Sequence, residues 1–301
     1  CIIPLVNNLV KTGEKYMKKK LKVLGISVLS LILVLIIGIG MIFKGEIRTL
    51  ISFKQLNEHP FYEMTYHADY NLDEFLINGA ATDDELVSFV TKQILKGVSF
   101  DVNPDGACST FVATNLEDEN LFGRNFDYVH SIGLIVRTQP KNGYKSISLV
   151  NLNHLGLSLE NMPTKNLINR VITLAAPYAP LDGMNEKGLA IGVLVIEDGK
   201  VHQNTGKVPI TTTSAIRMVL DKAATVDEAI ELLKNYDMNS SGETGYHFQI
   251  ADATGNTAVV EYINNEMHVL TKEEGYTAAT NFVLYNNMNS GYGQDRYEKI
   301  K

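Results

Sequence analysis

An α+β domain, with strands and helices in separate runs, is what the sequence predicts for the body of this 301-residue chain. Three observations carry that expectation. Strand-like alternation fills residues 108–152, two helical patterns follow back to back between 214 and 236, and strand patterns return from 247 onward. There is no regular βαβ alternation and no internal repeat. With 45% hydrophobic residues, 20% charged residues and 8 Pro, the chain falls outside the disordered and fibrous classes and is long enough to bury a sizeable core.

The amino end reads as a membrane address. Residues 23–43, VLGISVLSLILVLIIGIGMIF, contain no charge, and 21 residues at about 1.5 Å each match a hydrocarbon core of about 30 Å. Lys18, Lys19, Lys20 and Lys22 stand just before this run, so the positive-inside rule makes residues 1–22 a basic cytoplasmic tail and puts the remainder outside. A cleaved secretory signal is the alternative, with Gly38 and Gly40 as the small residues before a cut, although the run is longer than the usual h-region. MKKKLK from Met17 looks like a natural n-region, which sets residues 1–16 apart from the mature product. No Cys follows the run closely, so a lipid-modified anchor is not indicated. Residues 1–22 carry six Lys against one Glu, so a formal charge of −7 overall becomes −12 for residues 23–301. So acidic a body argues against nucleic acid as a partner. The two cysteines, Cys1 and Cys108, lie on opposite sides of a bilayer on this reading and form no disulfide framework.

Residues 53–97 read as a helical stretch, and residues 44–107 as a helical lead-in to the body. Thr82 and Glu85 have the spacing of a capping box, and Gly97 supplies the stop. The strand patterns are 108–114, 120–128 after a polar turn at Glu117–Asn120, then 133–140 and 145–152, which imply hairpins. GLAIGVLVIE (188–197) is a further strand. SAIRMVLDKAA (214–224) and TVDEAIELLKNY (225–236) are helices, the second opened by Thr225 and Glu228. HFQIAD and TAVVEYI pair across Ala253–Asn256, and MHVLT follows.

HExxH, CxxC, Walker A, GxSxG and GxGxxG motifs are absent, and the seven His are scattered without ligand spacing, so no metal and no cofactor is expected. The remaining candidate is Cys108. A lone cysteine is most often a small buried hydrophobe. Here it opens a strand that turns and returns carrying Arg124 and Asp127, which brings three reactive groups to one end of a hairpin. A guanidinium beside a thiol favours the thiolate, and a carboxylate can orient an amine or the Arg.

In four ordered blocks the sequence resembles the choloylglycine hydrolase group of N-terminal-nucleophile hydrolases, the linear amide C–N hydrolases. The group includes penicillin V acylases and bile acid hydrolases and, more distantly, acid ceramidase and N-acylethanolamine acid amidase. The blocks are CSTFVATNLEDENLFGRNFDY, LDGMNEKGLAIGVLV, HFQIADATGNTAVVEY, and TNFVLYNN with GQDRYEKI, spread over roughly 190 residues. YNLDEFLINGAATDDELVSFV is similar to the group's propeptide-like region. The resemblance implies a four-layer αββα sandwich over 108–301, preceded by one transmembrane helix and a propeptide-like segment, in a precursor that cuts itself before the nucleophile.

On that resemblance Cys108 is the nucleophile, freed by cleavage of the Ala107–Cys108 bond, with Arg124 beside its thiol and Asp127 on its α-amine. Asn281 matches the Asn of the oxyanion hole and Arg296 a supporting Arg. The chemistry is coherent without the family: a freed α-amine has a pKa of about 8 and can act as base for its own thiol. Asn185 reads first as a turn residue. Val195 departs from the pattern, because bile acid hydrolases tend to carry an oxyanion-assisting Asn there and Val has no donor. A second departure is length, since chains of the group continue well beyond the position of Arg296; a C-terminally truncated domain is one reading.

The expected function is a self-processed cysteine amidase, membrane-tethered or secreted, acting on small N-acyl amides. The alternatives are a non-catalytic, membrane-anchored ligand-binding module with the same fold, and an acyltransferase using the same thiol. Homo-oligomerisation is left open.

Overall fold

The computed structural model describes residues 3–98, 100, 107–127, 131–196, 199–271 and 276–300. Asp105 and Gly106 ahead of Cys108, and Tyr128, His130 and Glu197, lie outside the described residues. The chain divides into two compact units, Cys1–Ile47 and Arg48–Lys301.

The first unit is built on one helix, α1 (Ile3–Ile42). Its Lys15–Ile42 portion is long and apolar enough to cross a membrane by length and composition. Large side chains along it, such as Leu29 and Ile42, are exposed.

α2 (Lys44–Ser52), β1 (Lys54–Gln55), β2 (Phe61–Thr65), α3 (Leu72–Asn78) and α4 (Asp83–Gln93) come next. The expectation of helix throughout 53–97 is corrected here. FYEMT forms β2, with Tyr62 and Met64 buried and Phe61, Glu63 and Thr65 half-buried, a two-residue period that suits a strand. Its partner β5 (Gly133–Thr138) runs parallel to it and about 70 residues away in sequence, so no hairpin turn marks it. The expected cap of α4 is present, with a shift: the Thr82 hydroxyl accepts from Glu85 N at 3.2 Å, but Glu85 reaches back to Ala81 N at 2.7 Å.

The body continues with β3 (Ala107–Thr114), β4 (Asn120–Asp127), β5, β6 (Ser146–Asn151), a six-residue helix α5 (Leu167–Ile172), β7 (Pro180–Asn185) and β8 (Ala190–Ile196). Next are β9 (Val208–Thr211), α6 (Thr212–Lys222), α7 (Val226–Lys234), β10 (Tyr236–Asn239), β11 (Gly245–Ala251), β12 (Thr257–Ile263) and β13 (Glu266–Thr271). β14 (Tyr276–Ala279), β15 (Asn281–Phe282), β16 (Gly291–Tyr292) and α8 (Gln294–Ile300) complete the described chain.

Among the described residues the largest sheet has the order β1-β2-β5-β6-β7-β8-β11-β12-β13, and a three-stranded sheet has the order β14-β3-β4. The 108–128 and 133–152 hairpins therefore belong to different sheets. β9 and β10 pair parallel around α6 and α7, a crossover that the strand patterns did not reveal.

α6 packs on β7 and β8, and α7 packs on β11 and β12, while β3 lies against β8. Paired residues show which face is which. Gly183 approaches Leu220 of α6, whereas Gly192, opposite Asp182, approaches Phe122 and Arg124 of β4. The three-stranded sheet thus covers the face of the large sheet opposite the helices, and α8 contacts β3 and β14. Covered on both sides, β11 and β12 are buried at every residue. α7 buries Val226, Ala229, Ile230 and Leu233, one stripe at helical spacing.

The segment before Cys108 belongs to this core. Phe53, Tyr62, Met64, Tyr66, Tyr70, Leu72 and Phe75 are buried in the main cluster with residues of α6, β8 and β11. Tyr70 donates to Asp221 Oδ2 at 2.6 Å, and the fully buried Arg217 binds both Asp221 and Ser146. Met64→Ala is expected to lower the unfolding free energy by about 2–5 kcal/mol, measured by denaturant titration, because it opens a cavity in the main core cluster.

Candidate active site

The β3–β4 hairpin sets the first half of the site. Its turn is closed by the Asn115 side chain, whose Oδ1 accepts from Glu117 N at 3.0 Å and Glu119 N at 2.8 Å. The register places Cys108 opposite Phe126 and Thr110 opposite Arg124. Cys108 and Arg124 therefore point to the same side, toward the large sheet, and Arg124 Nη2 lies 3.3 Å from Cys108 Sγ. Cys108 is 2% exposed.

Arg124 is held by three other groups. It donates to Val193 O at 2.8 Å and to Asn125 O at 2.6 Å, and its Nε sits 3.4 Å from Asp182 Oδ2. Burial pushes the Asp182 carboxyl above its ordinary value, and the Arg124 guanidinium opposes that shift. A Cβ at Gly192 would meet Arg124 Cδ and Phe122 Cζ at 3.3 Å, so the small residue leaves room for the guanidinium stem.

The second half comes from the end of the chain. Asn281, fully buried, accepts at Oδ1 from the backbone nitrogen of Cys108 at 2.8 Å and from Arg296 Nη2 at 2.8 Å, and donates from Nδ2 to Val195 O at 2.7 Å. Arg296 Nη1 donates to Cys108 O at 2.6 Å and to Ser109 Oγ at 2.9 Å. Gly293, at φ +95°, is the turn that delivers α8: a Cβ there would stand 2.5 Å from Arg296 Nη2.

Four of the five candidate residues are thus in contact: Cys108, Arg124, Asn281 and Arg296. Asp127 stands one register position away, opposite Ala107, and makes no hydrogen bond to Cys108 among the described residues. It is exposed, and both carboxylate oxygens accept from Asn125 Nδ2 at 3.1 Å, while the Cys108 nitrogen is taken by Asn281. Val195 contributes its backbone carbonyl as the acceptor for Asn281, and it also lines the cavity beside the thiol.

Sequence reasoning missed Asp182, His247 and Glu261. Asp182 sits in the LDGMN block but has no motif spacing to Arg124. His247 and Glu261 are 14 residues apart, and only the β11–β12 register makes them neighbours, with Nδ1 2.8 Å from Oε1. Among the described residues no group of His, Cys, Asp and Glu converges as a metal ion needs.

The cavity beside Cys108 is small, about 30 Å³, and is lined by Phe126, Leu181, Val193, Val195 and Tyr246 among others. That is room for one or two waters. On the other side of Arg124 an open cleft of about 370 Å³ runs between the sheets past Phe61, Phe122, Ile147, Leu149 and Met184, with Asp182 in its wall.

These contacts define a thiol-centred site in an α+β domain, with a guanidinium at the sulfur and a buried amide at the cysteine nitrogen. The model of the linear amide C–N hydrolases, choloylglycine hydrolase family, matches residues 108–294, and the chain belongs to that family. A bile salt hydrolase/transferase of Clostridium perfringens is 28% identical over 178 residues, 56% of this chain and 52% of that protein. A penicillin V acylase of Pectobacterium atrosepticum is 32% identical over 111 residues, 33% of this chain and 29% of that protein. The chain therefore spans about half the length, or less, of these curated relatives. Among solved structures, a variant of the conjugated bile acid hydrolase of Clostridium perfringens overlaps with a TM-score of 0.41 at 20% identity, covering 60% of this chain and 54% of that one. The penicillin V acylase of Agrobacterium tumefaciens overlaps with a TM-score of 0.35 at 17% identity, covering 62% and 48%.

Glu261 has a measurable electrostatic consequence. Burial raises its carboxyl, but hydrogen bonds from His247, Leu284 N and Tyr285 N outweigh burial and hold it below the ordinary 4.5. A carboxyl so lowered lends the folded state stability that is complete above its unfolded value and is lost as pH falls through the lowered one. Glu261→Gln is therefore expected to lose less stability than the parent as pH falls below about 5, read from denaturant midpoints on the acid side.

Proposed function

We propose that the chain is a self-processed cysteine amidase that hydrolyses linear C–N amide bonds of N-acyl compounds. The observation that carries the reading is the convergence on Cys108: Arg124 at the sulfur, Asn281 at the nitrogen and Arg296 at the carbonyl, drawn from β4, β15 and α8. In the uncut chain the Cys108 nitrogen is a peptide amide and cannot act as a base. Hydrolysis of the Ala107–Cys108 bond, with consumption of one water, leaves a carboxylate on Ala107 and an α-amine on Cys108. That amine then takes the thiol proton. The thiolate adds to the substrate carbonyl, the amine leaves with the proton, and water resolves the acyl-thioester to a carboxylic acid. Asn281 carries one further N–H on Nδ2 that can stabilise the oxyanion. Asp127 is assigned to the freed α-amine, since its carboxylate can accept from more donors than Asn125 supplies.

The substrate class is an amide with an apolar acyl group and a small amine or amino acid leaving group. Supporting this are the names of the relatives, a bile salt hydrolase/transferase and a penicillin V acylase. The proposed fold is the four-layer αββα sandwich, supported by the sequence of helices, large sheet, three-stranded sheet and α8. We place residues 1–22 in the cytoplasm and the body outside, anchored through residues 23–43, on the strength of the apolar α1 and its lysines. Transfer of the acyl group to an amine instead of water is the second reading, favoured by the hydrolase/transferase name of the Clostridium relative.

Intact mass spectrometry tests the processing step. A fragment running from Cys108 to Lys301 is expected from the parent chain and not from Cys108→Ala; amide hydrolysis retained by that variant would remove Cys108 from the mechanism. Asn281→Ala is expected to lower kcat about a hundredfold with less effect on KM, since it acts on developing charge. An unchanged kcat would take Asn281 out of the site.

A further inference from the structure

His247 and Glu261 face each other at one rung of β11 and β12, and both are fully buried. His247 Nε2 lies 2.8 Å from Thr280 O, and Nδ1 lies 2.8 Å from Glu261 Oε1. A carbonyl oxygen only accepts, so Nε2 carries a hydrogen and donates. Glu261 is also an acceptor: Leu284 N donates to Oε1 and Tyr285 N to Oε2, each at 2.9 Å. Against burial, these bonds hold its carboxyl below the ordinary value, so Glu261 is a carboxylate and Nδ1 donates to it. The pair therefore grips the chain at residue 280 on one side and at residues 284 and 285 on the other, and Asn281 lies between the grips.

The same segment reaches the other partner of the Asn281 oxygen. Thr280 Oγ1 donates to Gly293 O at 2.9 Å, in the turn that leads into α8 and Arg296. A buried ion pair adds little net stability over apolar side chains of similar volume. Its position around Asn281 gives it a geometric role that apolar residues could not fill, because they could neither donate to Thr280 O nor accept from Leu284 and Tyr285.

We propose that His247 and Glu261 are positioning residues that lock the 280–285 segment, so that the Asn281 side chain meets the backbone nitrogen of Cys108. The catalytic consequence rests on the amidase reading; the geometric one does not.

Two measurements separate them. The first is residue-level hydrogen exchange on the full chain in detergent micelles, in a Cys108→Ala background that keeps the amide of residue 108. Adding Glu261→Gln is expected to speed exchange at least about tenfold at residues 284 and 285 and at residue 108, with strand β6 unchanged. Faster exchange at 284 and 285 with residue 108 unaffected overturns the proposal. His247→Gln, whose amide nitrogen can still donate to Thr280 O, is expected to give a smaller rise than His247→Ala. It also serves if Glu261→Gln does not fold.

The second measurement is turnover of penicillin V as the probe by the Cys108 protein. Glu261→Gln is expected to lower kcat at least about tenfold with KM within about twofold, and to cost nothing further when Asn281 is already Ala. A full additional loss in that double variant overturns the proposal, since the pair would then act independently of Asn281. If the parent protein is inert toward penicillin V and toward N-acyl glycine probes, the amidase reading fails, and exchange at residue 108 alone decides the positioning claim.

Discussion

The site depends on the acceptance, by one buried side-chain oxygen, of two donors. Asn281 Oδ1 takes the backbone nitrogen of Cys108 and Arg296 Nη2, while its Nδ2 donates to Val195 O. Four stretches of chain, near residues 108, 195, 281 and 296, are tied by one amide. Each such bond contributes only about 1 kcal/mol net, but a buried polar group left without its partner costs about 1–3 kcal/mol. The arrangement is therefore close to all-or-none, and it exists only where two sheets and α8 come together. That is why Gly293, with its positive φ and no room for a Cβ, matters as much to the site as a charged residue does.

Arg124 extends the same logic to the sulfur. Its guanidinium is divided among Cys108 Sγ, Val193 O, Asn125 O and the carboxylate of Asp182. A cation in this nearly dry position needs a counter-charge, and Asp182 supplies it from the facing sheet. The pair meets where Arg124 of β4 reaches Asp182 of β7 past Gly192 of β8. The Cys108 thiol is thus placed beside a positive charge held by contacts from β4 to the large sheet.

The segment ahead of Cys108 has a structural part in this. β2 extends the large sheet, and Tyr70 joins the Arg217–Asp221 network beneath β6. In the proposed enzyme, cutting the chain at Cys108 would break a peptide bond without removing β2 or its aromatic side chains from the core. The family assignment rests on residues 108–294, whereas the fold of those residues rests in part on residues 53–95.

Much of this was legible in the sequence. The hairpin of β3 and β4, the 247–263 hairpin and two helices overlapping the expected 214–224 and 225–236 are local, set by period and turn chemistry; the second helix ends at Lys234 because Tyr236 joins β10. Cys108 and Arg124 could be placed together because they share one hairpin, and Asn281 and Arg296 because their blocks resemble a family. Hidden from the sequence were the parallel pairings β2–β5 and β9–β10, the partnership of Arg124 with Asp182, the grip of His247 and Glu261, and the contact of Asp127 with Asn125. Each depends on contacts between residues far apart in the chain, or on which neighbour a side chain finds once strands are in register. Local periodicity determines what an element is; the packing of one sheet on another decides which of its polar groups meet, because a buried donor takes whichever acceptor the tertiary fold leaves within reach.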